Sequence, residues 1–203
     1  MSDEAALLAA IRAHPDDDTP RLIYADWLDE NGQPDRAEFI RLQCLPGADE
    51  TQLMREAELE ERNRGRWLVG LGVPQFAEAN WEFRRGFPER LATDIDWALG
   101  HYDTLARAPW LRFLSLREAD NSSVRDFLAR AWPPQWVELG LLENWDVYAR
   151  VDYDATPSIV AIASCPQVKR LRRLRLSGYT LVEEAQRALA PLRAALGDRL
   201  VID

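Results

Sequence analysis

Three segments of the chain repeat one spacing of leucines: Leu111-x-x-Leu114-x-Leu116, Leu171-x-x-Leu174-x-Leu176 and, with an aromatic first position, Trp136-x-x-Leu139-x-Leu141. Side chains alternate across a strand, so the last two leucines of each set, two residues apart, face the same way. Phe87 to Asp94 and Arg199 to Asp203 fit as degenerate copies, because Leu91 and Leu200 fall in the same frame. The frame positions Leu91, Leu114, Leu139, Leu174 and Leu200 are then 23, 25, 35 and 26 residues apart. A unit of that length holds a strand and a helix, too little to bury its own leucines, so neighbouring units must stack.

The stretches between these strands read as helices. Asn121 to Ala131 offers Val124, Phe127, Leu128 and Ala131 on one face, and Thr156 to Ala163 and Leu181 to Leu196 are the others, with Pro191 expected to kink or shorten the last. Spacing and period match the leucine-rich repeat. The expected fold is therefore α/β: a short leucine-rich-repeat solenoid, with five parallel strands in a curved sheet and helices outside it. Asn144 stands near a position where such repeats often carry asparagine. The longest interval holds an insertion near residues 145–156. An ordinary parallel α/β sandwich built from leucine-rich strands is the alternative.

The first 70 residues follow a different, helical period. Ser2 or Asp3 can cap a helix carrying Leu7, Leu8 and Ile11, and Pro15 follows its end. Asp16 to Asp18 form a capping loop before Pro20, which sits in a first helical turn where its missing N–H costs nothing. The glycine and distal glutamate of a calcium loop are absent from that run. Asn31-Gly32 ends the second helix, and Pro34 opens a third with Ala37, Ile40 and Cys44 on one stripe. Tyr24 and Trp27 read as core aromatics. A fourth helix, about Glu50 to Val69, is expected to bury Leu53, Ala57, Trp67 and Leu68.

Asp18-Thr19-Pro20-Arg21-Leu22-Ile23-Tyr24-Ala25-Asp26-Trp27-Leu28, the Asn31-Gly32 stop, and Arg36-Ala37-Glu38-Phe39-Ile40-Arg41-Leu42-Gln43 together resemble the bacterial repeat-companion domain. The likeness covers about the first 45 residues and continues more weakly through Arg66-Trp67-Leu68 and Trp81-Glu82-Phe83-Arg84-Arg85-Gly86-Phe87. That family stands ahead of leucine-rich repeats in bacteria with large genomes, and the resemblance implies no enzymatic activity. It divides the chain into a helical companion segment over residues 1–70, capping the repeats, and a degenerate leucine-rich-repeat domain over residues 71–203.

Charge and motif content narrow the function. The net charge is −9, and residues 1–50 alone carry 12 acids against 4 bases, while residues 110–203 carry 12 against 13. An acidic chain of this kind would repel a polyanion, which argues against nucleic acid. No apolar run is long enough for a membrane span, and the start lacks the basic region of a signal peptide. The two cysteines, Cys44 and Cys165, have no paired spacing, so a reducing cytoplasm is the expected compartment. P-loop, GxGxxG, GxSxG and HExxH motifs are missing, and His14 and His101 are the only histidines. No cofactor, metal site or catalytic residue is expected. Asp146, Asp152 and Asp154 lack a glycine-centred loop that would make them cation ligands.

What remains is binding. With the frame leucines inward, the alternate residues point to the other face of the sheet: Arg90, Ala92 and Asp94; Phe113, Ser115 and Arg117; Glu138, Gly140 and Leu142; Arg173, Arg175 and Ser177; Arg199, Val201 and Asp203. Arginines and an aromatic residue are the types enriched at interface hot spots, so this concave face is expected to bind another protein with an acidic surface. Arg117, Arg173 and Arg175 would anchor it and Phe113 would give apolar contact. The competing reading leaves these arginines solvated, or pairs them with Glu138 and Asp94 across the sheet. In the insertion, Trp145, Tyr148, Arg150 and Tyr153 form a second candidate surface. It leads to an alternative function, a regulatory inhibitor or protease-cleaved subunit in bacterial signalling or defence controlled through residues 145–156.

Overall fold

The structure is a computed structural model and describes residues 2–73, 80–142, 154–179 and 181–203. These fall into two compact units: residues 2–73 with Glu82–Glu89, and residues 80–81 with Arg90–Asp203.

The first unit carries four helices, α1 (Asp3–Ala13), α2 (Thr19–Glu30), α3 (Pro34–Cys44) and α4 (Glu50–Gly70). Local chemistry fixes their ends. Ser2 Oγ accepts the Ala5 amide at 3.3 Å, and Asp17 accepts the Thr19 amide at 2.9 Å. Gly32, at φ +75°, lets the chain turn so that the Gln33 amide reaches back to the Leu28 carbonyl. Asp49 and Gln52 form a reciprocal capping box on α4. Leu53 and Ala57, expected inside, are exposed, Leu53 by 54%. The buried stripe of α4 is instead Leu59, Asn63 and Trp67 at i, i+4 spacing, and a polar residue in its middle conceals the phase. Asn63 is buried because its amide donates to the Leu59 carbonyl at 3.0 Å.

Two arginines are buried in this unit. Arg21 of α2 pairs with Glu89, both almost wholly enclosed, and donates to the Pro15 carbonyl at 3.0 Å. Arg36 of α3 lies in an aromatic cage, its guanidinium 4.7 Å from the centre of the Trp67 ring and 5.3 to 5.7 Å from those of Phe83, Phe39 and Phe87. It also donates to the Gly86 carbonyl. Glu89, Gly86, Phe83 and Phe87 all come from a hairpin joining β1 (Asn80–Arg84) to β2 (Phe87–Asp94). Arg85 and Gly86 make its two-residue turn with φ of +48° and +84°, the pairing that suits right-twisted antiparallel strands. Any side chain at Gly86 would run into Ile40. The Gly86 amide donates to Gln43 Oε1 at 2.7 Å, and Arg85 donates to the Pro15 carbonyl at 2.7 Å, which holds the strained turn in place.

The second unit takes β2 from Arg90 onward and adds α5 (Ile95–Gly100), α6 (Tyr102–Arg107), β3 (Phe113–Arg117), α7 (Asn121–Leu128), β4 (Glu138–Leu142), α8 (Thr156–Ser164), β5 (Arg173–Ser177), α9 (Glu183–Leu196) and β6 (Leu200–Ile202). The sheet order is β1-β2-β3-β4-β5-β6, and every pair from β2 to β6 is parallel. Six strands therefore replace the expected five. The additional one, β1, reads as a linker in sequence, although Trp81 and Phe83 alternate with exposed residues along it. The frame leucines stand in one register: Leu91 opposite Leu114, Leu114 opposite Leu139, Leu139 opposite Leu174 and Leu174 opposite Leu200. Leu91, Leu114, Leu139 and Leu174 are buried, as are Leu116, Leu141 and Leu176 in the next row. Helix neighbours helix in the same sequence, α5 with α7, α7 with α8 and α8 with α9. Despite Pro191, α9 continues unshortened to Leu196.

Polar groups couple each strand-helix unit to the one before. The Val137 amide donates to the Arg112 carbonyl at 2.8 Å, and the Arg172 amide to the Val137 carbonyl at 2.7 Å. Gln135 reaches the Ala106 carbonyl, Gln167 the Arg130 carbonyl, and Arg170 the Trp132 carbonyl. On the helical side, Asn121 Oδ1 accepts from both the amide and hydroxyl of Ser158 at 2.9 and 2.6 Å. An aromatic cluster of Tyr102, Phe127, Trp132 and Trp136, with ring centres 5.6 to 6.1 Å apart, fills the space between.

Two stability experiments follow from these contacts. Removing one member of a buried ion pair leaves a charge with no counter-ion, so Glu89→Ala should cost about 3–5 kcal/mol in chemical denaturation, because Arg21 stays buried. Asp26→Ala, which breaks the exposed contact to Arg41, should cost about 1 kcal/mol or less. The second concerns Asp120, the cap of α7. Burial works to raise its carboxyl, but hydrogen bonds from the amides and hydroxyls of Ser123 and Ser122 outweigh it and hold the group down at about 2. The carboxylate is the bonded form, so its stabilisation is complete above the ordinary 3.8 and is lost as pH falls through about 2. Asp120→Ala should cost about 1–2 kcal/mol at neutral pH. The variant and the parent should then converge in stability across that acid window.

Candidate binding face

Strands β2 to β5 turn their leucines inward, which leaves alternate residues in rows across the opposite face. Register assigns the rows. Arg90, Phe113, Glu138 and Arg173 form the first, Ala92, Ser115, Gly140, Arg175 and Val201 the second, and Asp94 with Arg117, then Leu142 with Ser177, the third.

In the first row, Arg90 lies over the Phe113 ring at 5.5 Å and reaches Glu138 at 3.8 Å. Arg112 covers the same ring at 5.2 Å. Phe113 is consequently only 7% exposed and not the open apolar contact expected of it. Two guanidinium groups cover the ring because its face attracts cations, and their stems bring apolar surface with them. Arg173 ends the row exposed, with no ion-pair partner among the described residues.

The second row is small at its centre. Ala92, Ser115 and Gly140 present little beyond backbone, and a methyl group at Gly140 would lie 3.4 Å from Ser115 Oγ. Large residues flank this strip on both sides, so it forms a shallow floor between Phe113 with Glu138 and Arg117 with Leu142.

Charges at the margins are matched. Arg117 meets Asp94 at 3.0 Å. Arg175 clamps Asp203 through Nε, at 3.1 and 3.2 Å, and through a terminal nitrogen, while Ser177 Oγ donates to the same carboxylate at 2.5 Å. Arg175 and then Ser177 bring the Asp203 carboxyl down to about 2. Arg117 and Arg175 nevertheless keep 55% and 57% of their side chains exposed, so both remain within reach of a partner. Arg90 with Glu138 and Arg117 with Asp94 adopt the cross-strand pairing weighed from sequence, whereas Arg175 pairs with Asp203.

Arg199 is not part of the face. It precedes β6 in a short 3-10 turn, where its guanidinium donates to the Leu171, Ala195 and Leu196 carbonyls. Those of Ala195 and Leu196 are open carbonyls at the end of α9, which lack partners within the helix, and Leu171 stands just ahead of β5. Trp145, Tyr148, Arg150 and Tyr153 of the insertion, together with Asn144, lie outside the described residues. The structure thus brings Arg90, Phe113, Ser115, Arg117, Glu138, Leu142, Arg173, Arg175 and Ser177 onto one face. Sequence reasoning missed Arg112, whose signal was its position directly before the ring it covers.

Other chemistry is sparse. Among the described residues no three His, Cys, Asp or Glu side chains come together to hold a metal ion. Cys44 is a free thiol that burial, followed by nearby Asp18, pushes up to about 11, so it is protonated at neutral pH. No helix among the described residues is long and apolar enough to cross a membrane. Comparison with family models, curated proteins and solved structures gives no match.

Proposed function

We propose that the chain is a non-enzymatic protein-binding module, in which a helical segment of the repeat-companion type precedes a short leucine-rich-repeat solenoid whose concave face receives a partner. One observation carries this reading: the in-register leucines of five parallel strands, with helices following one another in the same order. Strand beside strand and helix beside helix is the arrangement that stacked repeats require. It commits one face of the strands to the core and offers the other as an ordered, rigid surface.

The partner is another protein that lays an extended or loop segment along the small central row, with an acidic group meeting Arg173. Arg117 and Arg175 supply charge at the rim, where paired but exposed arginines tune approach and orientation more than affinity. A bacterial cytoplasm suits such a module. The test is capture of partners from lysate of the native organism by wild type, Ser115→Tyr and Arg173→Glu, with Arg187→Glu on the helical side as control. Ser115→Tyr fills the central floor and Arg173→Glu reverses the free charge. Both should lose a partner that Arg187→Glu retains, while all four proteins keep the same far-ultraviolet dichroism. Retention of every partner by all four proteins would remove this face from consideration.

A further inference from the structure

Helix α2 has two distinct sides. Arg21, Tyr24, Ala25 and Leu28 are buried within the first unit, where α1 and α3 are the neighbouring helices. The opposite side carries Leu22, Ile23, Asp26, Trp27 and Glu30, which the helical period places on one continuous stripe. A helix face that meets only water is ordinarily polar. Here Leu22 and Ile23 are 39% and 52% exposed, and the half-buried Trp27 follows one turn after Ile23. The indole is held in place by the buried Tyr24, on which it stacks with ring centres 5.8 Å apart and planes 11° apart. A single exposed leucine needs no explanation, but three adjoining apolar side chains that include a fixed tryptophan resemble the anchors at the centre of protein interfaces.

Charge specifies what fits over this stripe. Residues 1–50 hold four bases, Arg12, Arg21, Arg36 and Arg41, against 12 acids. Arg21 and Arg36 are buried and none of the acids is, so the surface of this stretch is more acidic than the count suggests. Arg41 of α3 pairs with Asp26 and Asp29 at 2.7 and 2.6 Å, yet the Asp26 side chain stays 72% exposed. Asp17, just ahead of α2, and Glu30, at its end, are exposed and have no ion pair among the described residues. Acids therefore stand before, between and after the apolar residues. A segment that covers this pattern must bring cations as well as apolar side chains, because an anionic or wholly apolar one would leave the carboxylates facing like charge or stripped of water.

We propose that the outward side of α2 docks a basic amphipathic segment of another protein, one in which arginine or lysine alternates with apolar side chains. Leu22, Ile23 and the Trp27 ring receive the apolar side chains. Asp26 and Glu30, with Asp17 at the near end, receive the cations. The acidic surface around the stripe draws such a segment in, an attraction that salt weakens, and the apolar contact supplies affinity that charges at a wet rim do not. This surface belongs to the helical unit and does not rest on the interface reading of the strand face, which calls for a partner of the opposite charge.

The test selects random peptides displayed on phage against the immobilised intact protein, then measures the recovered sequences as labelled synthetic peptides by fluorescence anisotropy. Enrichment of sequences that combine arginine or lysine with apolar residues is expected. Such a peptide should bind Ile23→Ser and Glu30→Lys roughly fivefold or more weakly than wild type, the loss expected for an interface anchor. It should bind Met54→Ser, a still more exposed apolar position on α4, as tightly as wild type. Raising the salt concentration should weaken binding to wild type severalfold. All three substitutions lie at exposed positions, and unchanged far-ultraviolet dichroism confirms that each variant keeps the fold. No enrichment, enrichment of acidic or uncharged sequences alone, or selected peptides that bind Ile23→Ser as tightly as wild type would overturn the proposal.

Discussion

Parallel strands joined through helices cannot pair until the chain between them has been ordered, so their register must be specified by something other than a tight turn. Here it is specified by leucine. Each frame leucine from Leu91 to Leu174 is buried and stands opposite a leucine of the next strand. A slip of one residue would turn the whole set to the opposite face and bring Arg, Glu and Ser into the core. The rows of the open face, the aromatic cluster and the contacts of Gln135, Gln167 and Arg170 with preceding loops all inherit their positions from this register.

A second constraint governs the helical unit. That unit encloses two guanidinium groups, which is tolerable only where each finds acceptors or ring faces. The hairpin tip supplies them: Glu89 for Arg21, and the Gly86 carbonyl with Phe83 and Phe87 for Arg36. That explains why Gly86 tolerates no side chain and why Arg85 adopts a left-handed conformation. The signature that suggests a companion domain, from Arg21 through Arg36 to Gln43, thus consists in good part of groups that receive this hairpin. Both arginines still leave donors unmet: Nε and Nη1 of Arg21 and Nη1 of Arg36 are buried without a hydrogen-bond partner.

Much of this was legible because periodicity survives in the leucines. The strand at Phe87 to Asp94 and the frame positions follow directly from spacing, as do the starts of α7 and α8. The losses have physical causes. β1 was missed since its five residues sit among arginines and glutamates that mask its alternation. The phase of α4 was misread because Asn63 occupies the centre of the buried stripe, satisfied by a backbone carbonyl that sequence does not display. Phe113 and Arg199 were given to the open face by alternation alone, which says where a side chain points but not what then covers or captures it. Pairing of Arg90 with Glu138 and Arg117 with Asp94 is an option the sequence offers and cross-strand register decides, whereas the pairing of Arg175 with Asp203 is visible only in the structure.

Neighbour coupling is the central claim, and hydrogen–deuterium exchange of wild type against Leu139→Ala tests it most directly. Truncating a buried leucine costs about 2–5 kcal/mol, enough to read at individual segments. If the strands depend on one another, the variant loses protection in β4 and also in β3 and β5 on either side. Loss confined to residues 138–142, with 113–117 and 173–177 as protected as in wild type, would contradict the account.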